Sequence, residues 1–131
     1  MDKERKNKMI LKDPKLLAQV PDYSDIIGNK LYDTSKSTLL AYTMKDCTYG
    51  SEGRVIAKGI FFEGLYKTKN GNYFWYEYKD EKKGFFGLLP KIYYDNVRRI
   101  NEVPTKFLLG CFKDLDIKLI NIEDEIEIID A

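Results

Sequence analysis

The chain has 131 residues, 44% of them hydrophobic and 33% charged, with a formal net charge of +1. This describes one globular domain, 1–131, able to bury enough apolar surface to fold without a metal or disulfide staple. His is absent, which excludes Ser-His and Cys-His catalysis and most zinc sites.

The charge is unevenly spread. From Lys113 to Ala131 two Lys stand against seven acids, a balance of −5 that leaves +6 for the remainder. A basic body with an acidic C-terminal end fits solvated faces on a neutral protein, or a patch for nucleic acid or an acidic partner. Cys47 and Cys111 form no CxxC pair and read as reduced, structural thiols. No apolar run is long enough to span a membrane, and "MDKERKNKMILKD" leads into no apolar h-region. The expected location is therefore the cytoplasm of the cell that makes the protein.

In chain order, 1–13 reads as a flexible basic arm. Asp13 and Pro14 suit the start of a helix over "PKLLAQV", which must end before Pro21. "DYSDII" is expected to add a short helical turn before Gly28. A β-rich core over 29–103 follows. Within it "KLYDTSKSTLLAYT" (Lys30–Thr43) and "GLYKTKNGNYFWYE" (Gly64–Glu77) share the pattern L-Y-x-T-x5-[LF]-x-Y at an offset of 34 residues. Two copies do not make a solenoid, so both segments are expected to be β-hairpins built to one plan.

The second copy carries the stronger signal. Asn70-Gly71 suits the two positive-φ positions of a type I′ turn. In that register Lys69 pairs with Asn72, and Leu65 and Lys67 share a face with Phe74 and Tyr76. Tyr66, Tyr73 and Trp75 then share the other face. Six rings in the fifteen residues Gly64–Tyr78 place aromatics on both faces, so one forms core and the other needs a cover. Either the helix at Pro104–Asp114 covers the Trp75 face, or a partner does.

"KDEKKG" reads as a charged turn and "FFGLLPKIYY" as a strand with an edge or end at Pro90. "DNVRRINEV" supports no single assignment. Phe107, Leu108, Cys111 and Phe112 recur at helical spacing, which predicts a helix over Pro104–Asp114. "IKLINI" alternates as a last strand, and "EDEIEIIDA" as an exposed edge or tail, together filling 116–131. The fold class is α+β: a mostly antiparallel sheet of about five strands with one or two short helices packed on it.

Chemistry-bearing motifs are sparse. Asp80-Glu81, Asp114 with Asp116, and Glu123–Glu127 read as solvated faces, since nothing places two carboxylates in a cleft. "GSEGR" (Gly50–Arg54) lacks phosphate-loop spacing and reads as a turn. "KKGFFGLL" approaches the aromatic strand of an RNA-recognition module, but Phe86 and Gly87 stand in reversed order, and one slot flips a strand's faces. Arg98 and Arg99 point apart, one to solvent and one toward an acid. No metal site and no cofactor are expected, and no catalytic constellation is present.

The segment Asn29–Tyr78 resembles a group of small proteins from bacterial phages and plasmids. Their pattern runs from a "YnT" start through a strand to "LYkTkkGryFly", matched here at Tyr32, Thr34, Tyr66, Thr68, Gly71, Tyr73 and Phe74. The "GGA" stretch and acidic helix common in that group are replaced by "KDEKKGFFG" and a helix that is not acidic. The resemblance implies a mobile-element origin more than an activity. The leading expectation is a non-enzymatic inhibitor or adaptor that binds a host protein, for instance a defence component, as an anti-CRISPR does. The expected contacts are Tyr66, Tyr73, Trp75, Lys67, Lys69, Phe85 and Phe86. The alternative is a nucleic-acid-binding module, in which hairpin rings stack bases and lysines meet phosphates.

Overall fold

The computed structural model describes residues 14–46, 49–51, 54–84 and 92–129. Helix α1 spans Pro14–Leu17 and α2 spans Leu108–Lys113. The strands are β1 (Ser24–Ile27), β2 (Lys30–Asp33), β3 (Thr38–Asp46), β4 (Tyr49–Ser51), β5 (Arg54–Lys67), β6 (Tyr73–Gly84), β7 (Ile92–Val103) and β8 (Ile117–Lys118). Neighbours in the main sheet run β7-β6-β5-β3-β8, all antiparallel, with β4 paired to one end of β5. β1 and β2 form a separate two-stranded sheet. The α+β class is therefore the observed one.

Two rows of side chains explain the aromatic content. One face of the sheet carries Tyr42, Phe62, Tyr66, Phe74, Tyr76, Tyr78 and Ile100, capped by Tyr32 with Leu17, Val20, Tyr23 and Ile27. The rings meet in favourable offsets: Tyr66 and Phe74 stack at 5.1 Å between centroids, and Tyr32 meets Phe74 edge-on at 5.4 Å. Buried tyrosines also place their hydroxyls. Tyr76 Oη donates to the Pro21 carbonyl at 3.1 Å, and Tyr32 Oη to Glu102 at 2.8 Å. The other face holds Leu40, Ala41, Leu65, Tyr73 and Val103 under Leu108, Phe112 and Leu115. A bulge at Leu40 lets Leu40 and Ala41 both join this second cluster.

Gly64 makes the first face possible. The Phe62 ring folds over it, and a Cβ at position 64 would lie 2.7 Å from Phe62 Cζ and 3.0 Å from Leu39 Cδ1.

Several expectations are corrected. "DYSDII" forms β1, not a helical turn, because Gly28 (φ 54°) and Asn29 (φ 66°) supply the two successive positive φ values of a two-residue reversal, with Ile27 opposite Lys30. Lys30–Thr43 is not a hairpin: β2 pairs with β1 and β3 with β5, the two separated by a 3-10 turn at Thr34–Lys36. At Asn70-Gly71 only Gly71 has positive φ (85°). Gly71 N donates to the Thr68 carbonyl at 3.0 Å and Thr68 N to that of Asn72 at 2.8 Å, which is a three-residue loop of a type I turn plus a left-handed glycine. Lys67 therefore opposes Tyr73, not Phe74, and Leu65 opposes Trp75, not Tyr76. "KDEKKG" lies inside β6, where ladder bonds to both β5 and β7 override its weak strand propensity. Ser51 opposes Arg54 across Glu52 and Gly53, which lie outside the described residues, as do Cys47, Phe85, Phe86 and Pro90. The arm over 1–13 lies outside them too.

The helix expected at Pro104–Asp114 is present as a 3-10 turn at Thr105–Phe107 running into α2. The last strand is shorter than its alternation suggests, since only Ile117 and Lys118 pair, with Tyr42 and Ala41. Beyond it Ile122 and Ile126 pack against the second core cluster, so 122–126 is a cover segment instead of a free edge.

Candidate functional site

The one-residue shift in the β5–β6 register redistributes the hairpin residues. Tyr66 does not share a face with Tyr73 and Trp75. It lies on the opposite face, 8% exposed, and burial pushes its hydroxyl well above the usual phenol range. Tyr73 is 8% exposed, and its hydroxyl donates to Glu125 Oε2 at 2.8 Å. Lys67 Nζ donates to the same oxygen at 2.6 Å and stands 5.8 Å from the centre of the Tyr73 ring. The hydrogen bond from Lys67 holds the Glu125 carboxyl below its ordinary value, against the opposing effect of burial. Tyr73, Lys67 and Glu125 thus form a clasp that ties the C-terminal segment to the hairpin.

Trp75 is different. It packs against the second core cluster yet stays partly exposed, and it borders an open cleft of about 370 Å³. The floor comes from Trp75, Val103 and Cys111, and one wall from Phe107, which is 55% exposed. The 3-10 turn before α2 projects Phe107 outward, and Lys106 Nζ sits 5.0 Å from the centre of its ring. Asp114, exposed, stands at the rim; Glu102 also borders it, but it opposes Phe74 and its carboxylate accepts from Tyr32 Oη on the other face. Farther along the same face Glu63 opposes Glu77, and burial, then the Glu77 charge, holds the Glu63 carboxyl above its ordinary value. Arg99 Nη1 approaches Glu77 Oε2 at 3.7 Å, while Arg98 on the other face lies 5.9 Å from the centre of the Tyr78 ring. The Trp75 cleft is therefore an apolar hollow, with Asp114 at its rim and Lys106 beside the Phe107 wall.

Burial pushes the Cys111 thiol up, so it stays protonated and weakly nucleophilic. Other carboxylates behave less uniformly than expected. Glu81 is 7% exposed, with Lys79 Nζ 3.9 Å away, so it is not on a solvated face. Asp116 accepts a short hydrogen bond from Thr43 Oγ1. Among the described residues no group of three or more Cys, Asp or Glu side chains is arranged to hold a metal, and no helix is long and apolar enough to cross a membrane.

Lys69 is exposed at the β5–β6 turn, away from the Trp75 cleft. It borders a second, polar cleft of about 450 Å³ together with residues of β2. Sequence reasoning missed Phe107 as a surface residue, because its spacing with Leu108 and Cys111 reads as one buried helical stripe. It also missed Lys30 and Lys36, which the chain reversals at Gly28-Asn29 and Thr34–Lys36 bring beside Lys69. Compared with known proteins, the chain matches no family model, no curated protein and no solved structure.

Proposed function

We propose that this chain is a non-enzymatic protein-binding inhibitor or adaptor that engages a host protein through the Trp75–Phe107 cleft. The observation that carries the reading is a half-covered Trp beside a Phe that is 55% exposed, around a hollow of about 370 Å³. Aromatic anchors in partly desolvated hollows supply most of the affinity of protein interfaces. Asp114 at the rim favours a partner that presents an apolar side chain to fill the cleft beside a Lys or Arg. The mobile-element setting, with anti-defence action such as that of an anti-CRISPR as its specific form, rests on the resemblance of Asn29–Tyr78 alone. Stacking of nucleic acid on the hairpin rings has less support, because Tyr66 is buried and Tyr73 and Lys67 are engaged by Glu125.

The test compares the wild-type chain with Phe107→Asp, a change at an exposed position that leaves the core intact. Each is immobilised and exposed to bacterial host lysate, and retained proteins are identified and purified. The expected result is one protein held by the wild type whose affinity drops by at least about 2 kcal/mol in the variant. Its addition should also shift the emission of Trp75, the only tryptophan, to the blue. Equal retention by both proteins would overturn the cleft as the contact. No retained protein, with tight salt-steep binding of single-stranded oligonucleotides instead, would overturn the protein-partner reading.

A further inference from the structure

Three chain reversals meet at one end of the molecule, and each delivers a lysine. Lys30 follows the Gly28-Asn29 turn, Lys36 ends the 3-10 turn, and Lys69 opens the β5–β6 loop. All three are exposed and border the polar cleft of about 450 Å³. Among the described residues none of the three has a carboxylate within salt-bridge distance. One acid, Asp33, lines the cleft. Its Oδ1 is already committed to the Ser35 backbone N–H at 2.9 Å and the Ser35 hydroxyl at 2.6 Å. Three ammonium groups against one engaged carboxylate leave the cleft cationic.

We propose that this cleft binds a phosphate-bearing ligand of nucleotide size, a site beyond the protein-binding reading above and independent of it. The lysines match a phosphate as point charges with several donors each. The size argues for more than a bare anion, since small-molecule sites begin at about 300 Å³. The remaining lining suits a base. Asn29, Asn70 and Asn72 each offer a carbonyl acceptor and an amide donor, the combination that reads a base edge. Leu31, 55% exposed, supplies an apolar surface for the base plane. Tyr32 beneath the cleft is 2% exposed and anchors the floor, because its hydroxyl is tied to Glu102 and its ring packs on Phe74.

Isothermal titration calorimetry on the full chain decides it, with adenosine 5′-monophosphate, inorganic phosphate, adenosine and a thymidine oligonucleotide as probes. The mononucleotide should bind one to one, more tightly than phosphate or adenosine alone, and more weakly as salt rises. Lys36→Glu with Lys69→Glu should weaken it by about tenfold or more. Lys58→Glu with Lys113→Glu makes the same change in net charge at exposed positions away from the cleft, and should leave the affinity within about twofold. Far-ultraviolet circular dichroism establishes that both double variants keep the fold. No mononucleotide binding at low salt overturns the proposal, as does equal weakening by the two double variants. Binding of phosphate as tightly as the mononucleotide removes the base-reading half. Binding of the oligonucleotide alone replaces the nucleotide site with a strand-binding surface.

Discussion

Gly64 lies in β5 at a point where any side chain would collide with a ring. A Cβ there would sit 2.7 Å from Phe62 Cζ, and Phe62 is fully buried against Tyr42 and Tyr76. The ring has no empty space to move into, so it must distort or push its neighbours. Gly64→Ala should therefore cost about 1–3 kcal/mol in urea denaturation, although alanine normally outranks glycine in a strand. A loss below about 0.5 kcal/mol would show that the Phe62 ring yields freely. Little of this was legible in the sequence. "EGLY" reads as an ordinary strand, and the need for glycine appears only once Phe62 is known to lie flat on the sheet. Trp75 and Tyr73 were correctly grouped on one face, but Tyr66 was not, because a single slip in register moved it across the sheet.

The turns are where elements of this chain were decided. Asn70-Gly71 was legible as a reversal, and the strands on either side of it were legible too. The loop type was not, since Asn-Gly serves both a two-residue and a three-residue connection and rings on both faces gave no alternation to choose between them. Gly28-Asn29 went unread because the reversed order of the pair is a weaker signal. Substitutions distinguish the two loops. Gly71→Ala forces a Cβ into positive φ and should cost about 1–2 kcal/mol, and Asn29→Ala, which removes a side chain that tolerates the left-handed region, should cost about 0.5–1 kcal/mol. Asn70→Ala should cost less than about 0.5 kcal/mol, because Asn70 has negative φ. Urea titrations giving Asn70→Ala and Gly71→Ala the same loss would restore the two-residue turn. The helix at 105–113 was legible from its spacing because local periodicity and tertiary packing agree there.

At the scale of the whole molecule, the sheet is held between two covers, Leu17 to Tyr32 on one face and α2 with 122–126 on the other. The second cover was illegible because its isoleucines alternate with acids as an exposed strand would, and only Lys67 and Tyr73 reveal what Glu125 is for. Glu125→Gln should destabilise the chain at neutral pH by about 1 kcal/mol, a modest figure because the Lys67 side chain is 36% exposed. The Glu125 carboxyl is held below its unfolded value. Its contribution is therefore complete above the ordinary carboxylate range and is lost as pH falls through the folded value. The gap between wild type and variant should shrink below about pH 4, and a gap of constant size would exclude the clasp. The spacing of that clasp has a further consequence for assembly. β5 pairs with β6 and β6 with β7, each the next strand in the chain, whereas Glu125 must find Tyr73 across 52 residues and Lys67 across 58. Loop closure therefore favours the meander first and the cover last. On a ribosome, Leu65 and Tyr73 wait bare until α2 has emerged and Tyr73 waits for its Glu125 partner longer still, and for that interval the face is a surface for chaperones to hold.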